Sequence, residues 1–132
     1  MNSLQQNTAR PACVLLWEDD PIQALALTGY LEELAYRIIA VTSDGDALRR
    51  CREEKIDVAI FSSGPANLAA RMTLAEHFTG ARLSPVLFLS STYAAVSSAA
   101  LPKDISVLQK PYTFTSCRRC ITQLVEDWLN LV

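Results

Sequence analysis

At 132 residues, half of them hydrophobic and a fifth charged, the chain suits one domain around one core and not a disordered segment. A net charge of −2 offers no general attraction to nucleic acid, and the one tight basic cluster, Arg49, Arg50 and Arg52, reads as a solvated helix face. No apolar run approaches the ~20 residues of a membrane helix. The polar Met1–Arg10 lacks the apolar stretch of a secretion signal. It reads as a mobile tail ahead of a domain over residues 11–132, in the cytoplasm by default.

Short apolar runs then alternate with helix-length amphipathic segments. Ala12–Trp17 is near-continuously apolar and too short for a helix, which predicts a strand buried on both faces. Pro21–Tyr36 reads as a helix, capped by Asp20, with Pro21 where a missing N–H costs nothing. Ile22, Leu25, Leu27, Leu31 and Leu34 follow its period. Arg37–Val41 is a second strand, Asp44–Glu54 a second helix, and Val58–Phe61 a third strand ending in the loop signature Ser62-Ser63-Gly64-Pro65. Asn67–Phe78 makes a third helix closed by Gly80. Pro85–Leu89 is a fourth strand, about Thr92–Ala100 a fourth helix and Ile105–Leu108 a fifth strand. Phe114–Leu129 is the last helix, with Ile121, Leu124, Val125, Trp128 and Leu129 inward.

This is a (βα)5 pattern without an internal repeat. Parallel strands joined by right-handed crossovers give a doubly wound α/β sandwich with helices on both faces. The four cysteines need no disulfide in a chain of this size. Cys117 and Cys120 form one CxxC with no second pair and a single histidine in the chain, so they read as free thiols on a helix face and not as a zinc site.

In such sheets the functional groove lies beyond the carboxyl ends of the strands. The first strand delivers Glu18, Asp19 and Asp20 there, three carboxylates that repel one another and need a hard cation or a lysine. The fourth strand delivers Ser90 and Ser91, and the fifth Lys110 before Pro111. An acidic cluster, a hydroxyl and a lysine at neighbouring strand ends form a phosphate-handling constellation.

At these residues the chain resembles the receiver domains of bacterial two-component signalling. The resemblance spans about Pro11–Trp128 and rests on four segments in order. They are Val-Leu-Leu-Trp-Glu18-Asp19-Asp20-Pro21, Asp57-Val-Ala-Ile-Phe, Pro85-Val-Leu-Phe-Leu-Ser90-Ser91 and Leu108-Gln-Lys110-Pro111-Tyr112. It implies a flavodoxin-like parallel sheet in the order 2-1-3-4-5. It makes Glu18 and Asp19 a magnesium-binding pair, Ser90 the hydroxyl that meets the phosphoryl group, and Lys110 the lysine that pairs with it. The segment Phe88–Tyr93 is similar to its form in receivers served by one branch of alphaproteobacterial kinases.

Two positions depart from the family pattern. Ser62 stands where the phosphate-accepting aspartate falls, and Val107 where an aromatic residue often swings inward on activation. A carboxylate attacks phosphorus already ionised, whereas a serine hydroxyl needs a base. None is dedicated to Ser62: His77 falls late in the third helix, and Asp19 would lose its basicity on binding metal. Loss of one carboxylate also weakens the magnesium site, which Asp20 compensates only in part.

The resemblance therefore implies a non-enzymatic, degenerate receiver that acts on a sensor histidine kinase or a downstream signalling protein. Its docking face would be the last helix and its neighbours, near Tyr93, Val107, Tyr112 and Phe114. The fourth helix, fifth strand and last helix would form a face for homodimers. The alternative is a receiver modified on Ser62 or Ser63, or one that binds a small anion and magnesium through Glu18, Asp19 and Lys110. A flavin or nucleotide site lacks a glycine-rich loop. No DNA-binding segment follows Val132, so output is expected to pass through a partner, unless the chain is a piece of a longer one.

Overall fold

The computed structural model describes residues 12–91 and 104–130. The expected Met1–Arg10 tail, its boundary with the domain and the expected helix at Thr92–Ala100 lie outside them, as does Tyr93. The strands are β1 (Cys13–Trp17), β2 (Arg37–Ala40), β3 (Val58–Ser63), β4 (Val86–Ser90) and β5 (Ile105–Gln109). The helices are α1 (Pro21–Glu33), α2 (Asp44–Glu53), α3 (Leu68–Gly80) and α4 (Phe114–Leu129), with a 3-10 turn at Pro65–Asn67. All strand pairs are parallel, in the order β2-β1-β3-β4-β5. The sheet is the one the sequence implies.

Strand alternation splits the core into two layers. Cys13, Leu15, Trp17, Ala59, Phe61, Val86 and Phe88 pack with α2 and α3, where Ala47, Leu74, Ala75 and Phe78 meet them. Val14, Leu16, Val58, Ile60, Leu87 and Leu89 pack with α1 and α4 through Leu27, Leu31, Cys117, Ile121 and Leu124. Each fully buried aliphatic or aromatic side chain stabilises the fold by roughly 1.5–3 kcal/mol. Asp57 ties the start of β3 to β1 by accepting the Cys13 N–H at 2.7 Å.

The element ends depart from the sequence reading where tertiary contacts overrule local signals. Helix α1 begins as expected, with Asp20 Oδ1 accepting the N–H groups of Ile22 and Gln23. It stops at Glu33 and not at Tyr36, because Ala35 turns left-handed (φ 70°) and frees Tyr36 to lead into β2. Gly80 does not terminate α3 by a left-handed turn; it is the last helical residue, and Arg82 supplies the positive φ instead. Ser62 and Ser63 do not begin a loop, since β3 runs through both and pairs Ser63 with Ser90. Three apolar residues of the expected helix patterns face solvent, Leu129 among them against its inward assignment. Ile22 and Leu25 on α1 are 78% and 75% exposed, and Leu129 on α4 is exposed as well.

Two of the three basic residues of α2 are held by neighbouring acids. Arg49 pairs with Asp46 and Glu53, and Arg50 with Glu54. Cys117 is buried in the α1–α4 layer with Cys120 half-buried beside it, and burial pushes the Cys117 thiol up to about 12. His77 is exposed on α3.

Candidate functional site

The carboxyl ends of β1, β3, β4 and β5 bring Glu18, Asp19, Ser62, Ser90 and Lys110 to one edge of the sheet. Register fixes two of these relations. Ser62 lies opposite Leu89 on β4, and the Lys110 N–H donates to the Ser90 carbonyl at 2.9 Å. Lys110 Nζ reaches to within 3.7 Å of Glu18 Oε1, an ion pair too long to be a hydrogen bond. The Glu18 side chain is almost fully buried, with Oε2 accepting the Asp20 N–H at 3.0 Å and Oε1 without a hydrogen-bond partner. The hydroxyls of Ser62 and Ser63 are likewise buried without a hydrogen-bond partner.

The other half of the edge belongs to a residue the sequence reading passed over. Arg71, on α3, is 6% exposed. Its Nη2 donates to Asp19 Oδ2 at 2.8 Å and its Nη1 to the Ser62 carbonyl at 2.6 Å. The guanidinium lies 3.6 Å over the Trp17 ring, a cation–π contact that covers its face. Asn67 adds a 3.0 Å bond to the same Asp19 oxygen while accepting the Gly64 N–H, and the Trp17 indole N–H donates to Asp19 Oδ1 at 3.1 Å. Desolvation works to raise the pKa of Asp19, but the bond and charge of Arg71, with Trp17 and Asn67, hold its carboxyl below the usual carboxylate range.

A magnesium ion takes carboxylate, carbonyl and water oxygens. Here both Asp19 oxygens and the Ser62 carbonyl accept protein N–H groups, and Asp20 is committed to capping α1. Glu18 faces a lysine. The residues present do not fit the ion the resemblance implied, and no cluster of three His, Cys, Asp or Glu ligands occurs among the described residues.

Beside this edge, α1, β5 and the start of α4 enclose a cleft of about 410 Å³, lined by Gln23, Ala26, Ser91, Lys110, Tyr112 and Phe114 among others. Phe114 stacks on Tyr30 with ring centroids 4.8 Å apart. Half-buried Tyr112 has its hydroxyl pushed up to about 12 by desolvation. Val107, at the expected switch position, packs partly buried against the α2–α3 layer.

No protein-family model matches the sequence, and a search of curated proteins finds no match. Solved structures do resemble it. A response regulator receiver protein from Sinorhizobium medicae is 20% identical, with a TM-score of 0.71 over 89% of this chain and 97% of that one. A CheY-like receiver domain protein from Methanospirillum hungatei is 16% identical, with a TM-score of 0.72 over 92% and 99%. The response regulator TrrA from Thermotoga maritima, solved in complex with Mg2+ and BeF, is 16% identical, with a TM-score of 0.68 over 86% and 98%. No described helix is long and apolar enough to cross a membrane. The sheet order and overall fold agree with these neighbours, and the chain has the receiver fold of response regulators.

Proposed function

We propose that the chain is a degenerate receiver of cytoplasmic two-component phosphorelay signalling, a non-enzymatic module that binds protein partners without aspartyl phosphorylation. The reading is carried by Ser62, near the end of β3 where the resemblance puts the acceptor, which is buried and has no base in hydrogen-bond contact with its hydroxyl. A hydroxyl so placed stays protonated at neutral pH and is not nucleophilic. Val107 supports the same reading, because a small aliphatic side chain offers no ring to swing.

The alternative, modification of Ser62 or Ser63, is disfavoured by burial, since each is 2% exposed. Lys110 and Glu18 already form an ion pair, which leaves the lysine less free for an added anion. The partner, a sensor histidine kinase or a downstream signalling protein, would meet the rim of the cleft. Exposed Phe114 lines it, and Ile22 and Leu25, exposed on the same helix as the lining residues Gln23 and Ala26, add apolar surface unusual for a solvated helix. Homodimers through the fourth predicted helix, β5 and the last helix remain part of the proposal.

Intact mass measured after incubation with acetyl phosphate and magnesium tests the reading. An unchanged mass is expected; a stable adduct of one phosphoryl group on any residue overturns it.

A further inference from the structure

We infer that Arg71 occupies the place of a divalent cation, so that the strand-end pocket is held by a permanent internal charge and does not respond to magnesium. The guanidinium joins the Asp19 carboxylate to the Ser62 main-chain carbonyl. These are two hard oxygens of the type a magnesium ion would gather at one strand edge. Both contacts are short, the cation is nearly buried, and Trp17 seals one of its faces. Asn67 shares Oδ2 with Arg71 and the Trp17 indole bonds Oδ1, so three of the four acceptor sites of the Asp19 carboxylate are taken and a metal would compete with a guanidinium and two further donors.

The placement follows from α3. Arg71 stands on the same stripe as Leu74, Ala75 and Phe78, the residues that bury this helix against the sheet. A charge on that stripe needs a fixed counter-charge, and β1 delivers it as Asp19. Glu18 Oε1, buried and without a hydrogen-bond partner a residue away, is the second donor a released pocket would offer. The pocket is therefore a latent metal site occupied by a side chain.

This inference deepens the proposed function, and the two fail separately. A phosphoryl adduct would overturn the degenerate role and leave the cation assignment standing, whereas metal uptake by the unaltered chain would overturn the assignment alone.

The test is titration of the full chain with Mn2+, followed by water-proton relaxation, with Mg2+ as competitor. Unaltered protein is expected to show no saturable site at low-millimolar metal. Arg71→Met keeps an unbranched stem against Trp17 and removes charge and donors. It is expected to gain a site about tenfold or more tighter, which Mg2+ competes for and Asp19→Asn abolishes. Arg71→Lys keeps the charge and is expected to behave as the unaltered protein. Should Arg71→Met fail to fold, Arg71→Gln, which retains a donor for the Ser62 carbonyl, takes its place. Asp19-dependent metal binding by the unaltered chain overturns the inference, and so does a folded Arg71→Met or Arg71→Gln that gains none. If neither variant folds, the unaltered protein alone decides, uptake overturning the inference and its absence supporting it.

Discussion

Glu18 and Asp19 are neighbours in the chain and meet opposite fates. The Asp19 side chain is 55% exposed, yet both its oxygens are bonded by Arg71, Asn67 and Trp17. The Glu18 side chain is 4% exposed, yet one oxygen has no hydrogen bond and its lysine stands 3.7 Å away. Exposure and satisfaction are thus inverted across one strand end. The α3 side of the pocket is a closed set of charge-assisted bonds. The α1–α4 side is loosely paired and opens on the cleft. A side that must respond to a partner gains from the second arrangement, since few bonds have to break before it rearranges.

The largest effect is expected where the closed set is cut. Arg71→Ala removes two donated bonds, one to a carboxylate oxygen and one to a main-chain carbonyl, and strips the packing of the arginine stem on Trp17. About 2–3 kcal/mol should be lost in urea unfolding, since hydrogen bonds to charged groups contribute ~1.5–3 kcal/mol. A loss under about 1 kcal/mol would show that the α3 side holds no more tightly than an exposed ion pair.

Asp19→Asn and Glu18→Gln compare the two carboxylates directly. The first keeps an acceptor and loses the charge, for about 1 kcal/mol after allowance for its exposure. The second should stay within about 0.5 kcal/mol, since the ion pair it breaks is long and a neutral amide relieves the desolvation cost of the buried charge. Acid sharpens the contrast. The pKa of Asp19 is lowered in the fold, so its contribution is complete above the unfolded value near ~4 and is lost as pH falls towards the native one. Asp19→Asn should therefore flatten the acid limb of the stability curve below about pH 4. An unchanged limb would mean that Arg71 does not favour the ionised carboxyl.

The sheet was legible because a parallel, doubly covered strand reads as a short apolar run between amphipathic segments, and all five strands do so. Asp20 and Pro21 were legible because capping is local chemistry. The ends that failed lacked a local signal. Ala35 and Arg82 take left-handed backbone that usually announces itself as glycine, and Ser62–Ser63 looks like a turn until β4 pairs with it. Among site residues, Glu18, Asp19, Ser62, Ser90 and Lys110 do gather at one edge, as the topology rule requires. Arg71 was missed although a trace of it is visible. It precedes Leu74, Ala75 and Phe78 by three, four and seven positions, so a charge sits on an otherwise apolar stripe. Its partner was not visible, because the contact joins residues 52 positions apart.

The smallest effect is expected at Ser62, the residue on which the proposed degenerate role rests. Ser62 contributes to the closed side through its carbonyl, which accepts from Arg71, and not through its hydroxyl, which has no partner. Ser62→Ala keeps the carbonyl and removes only a buried polar atom that makes no bond. An unpaired buried hydroxyl is costly, so the variant should be about 0.5 kcal/mol more stable than the unaltered chain. It should also retain the same indifference to Mn2+, because the Arg71 bonds are untouched. A loss above about 1 kcal/mol would place the hydroxyl among the bonded groups of the pocket. The division between a closed α3 side and a loose α1–α4 side would then have to be redrawn through Ser62 itself.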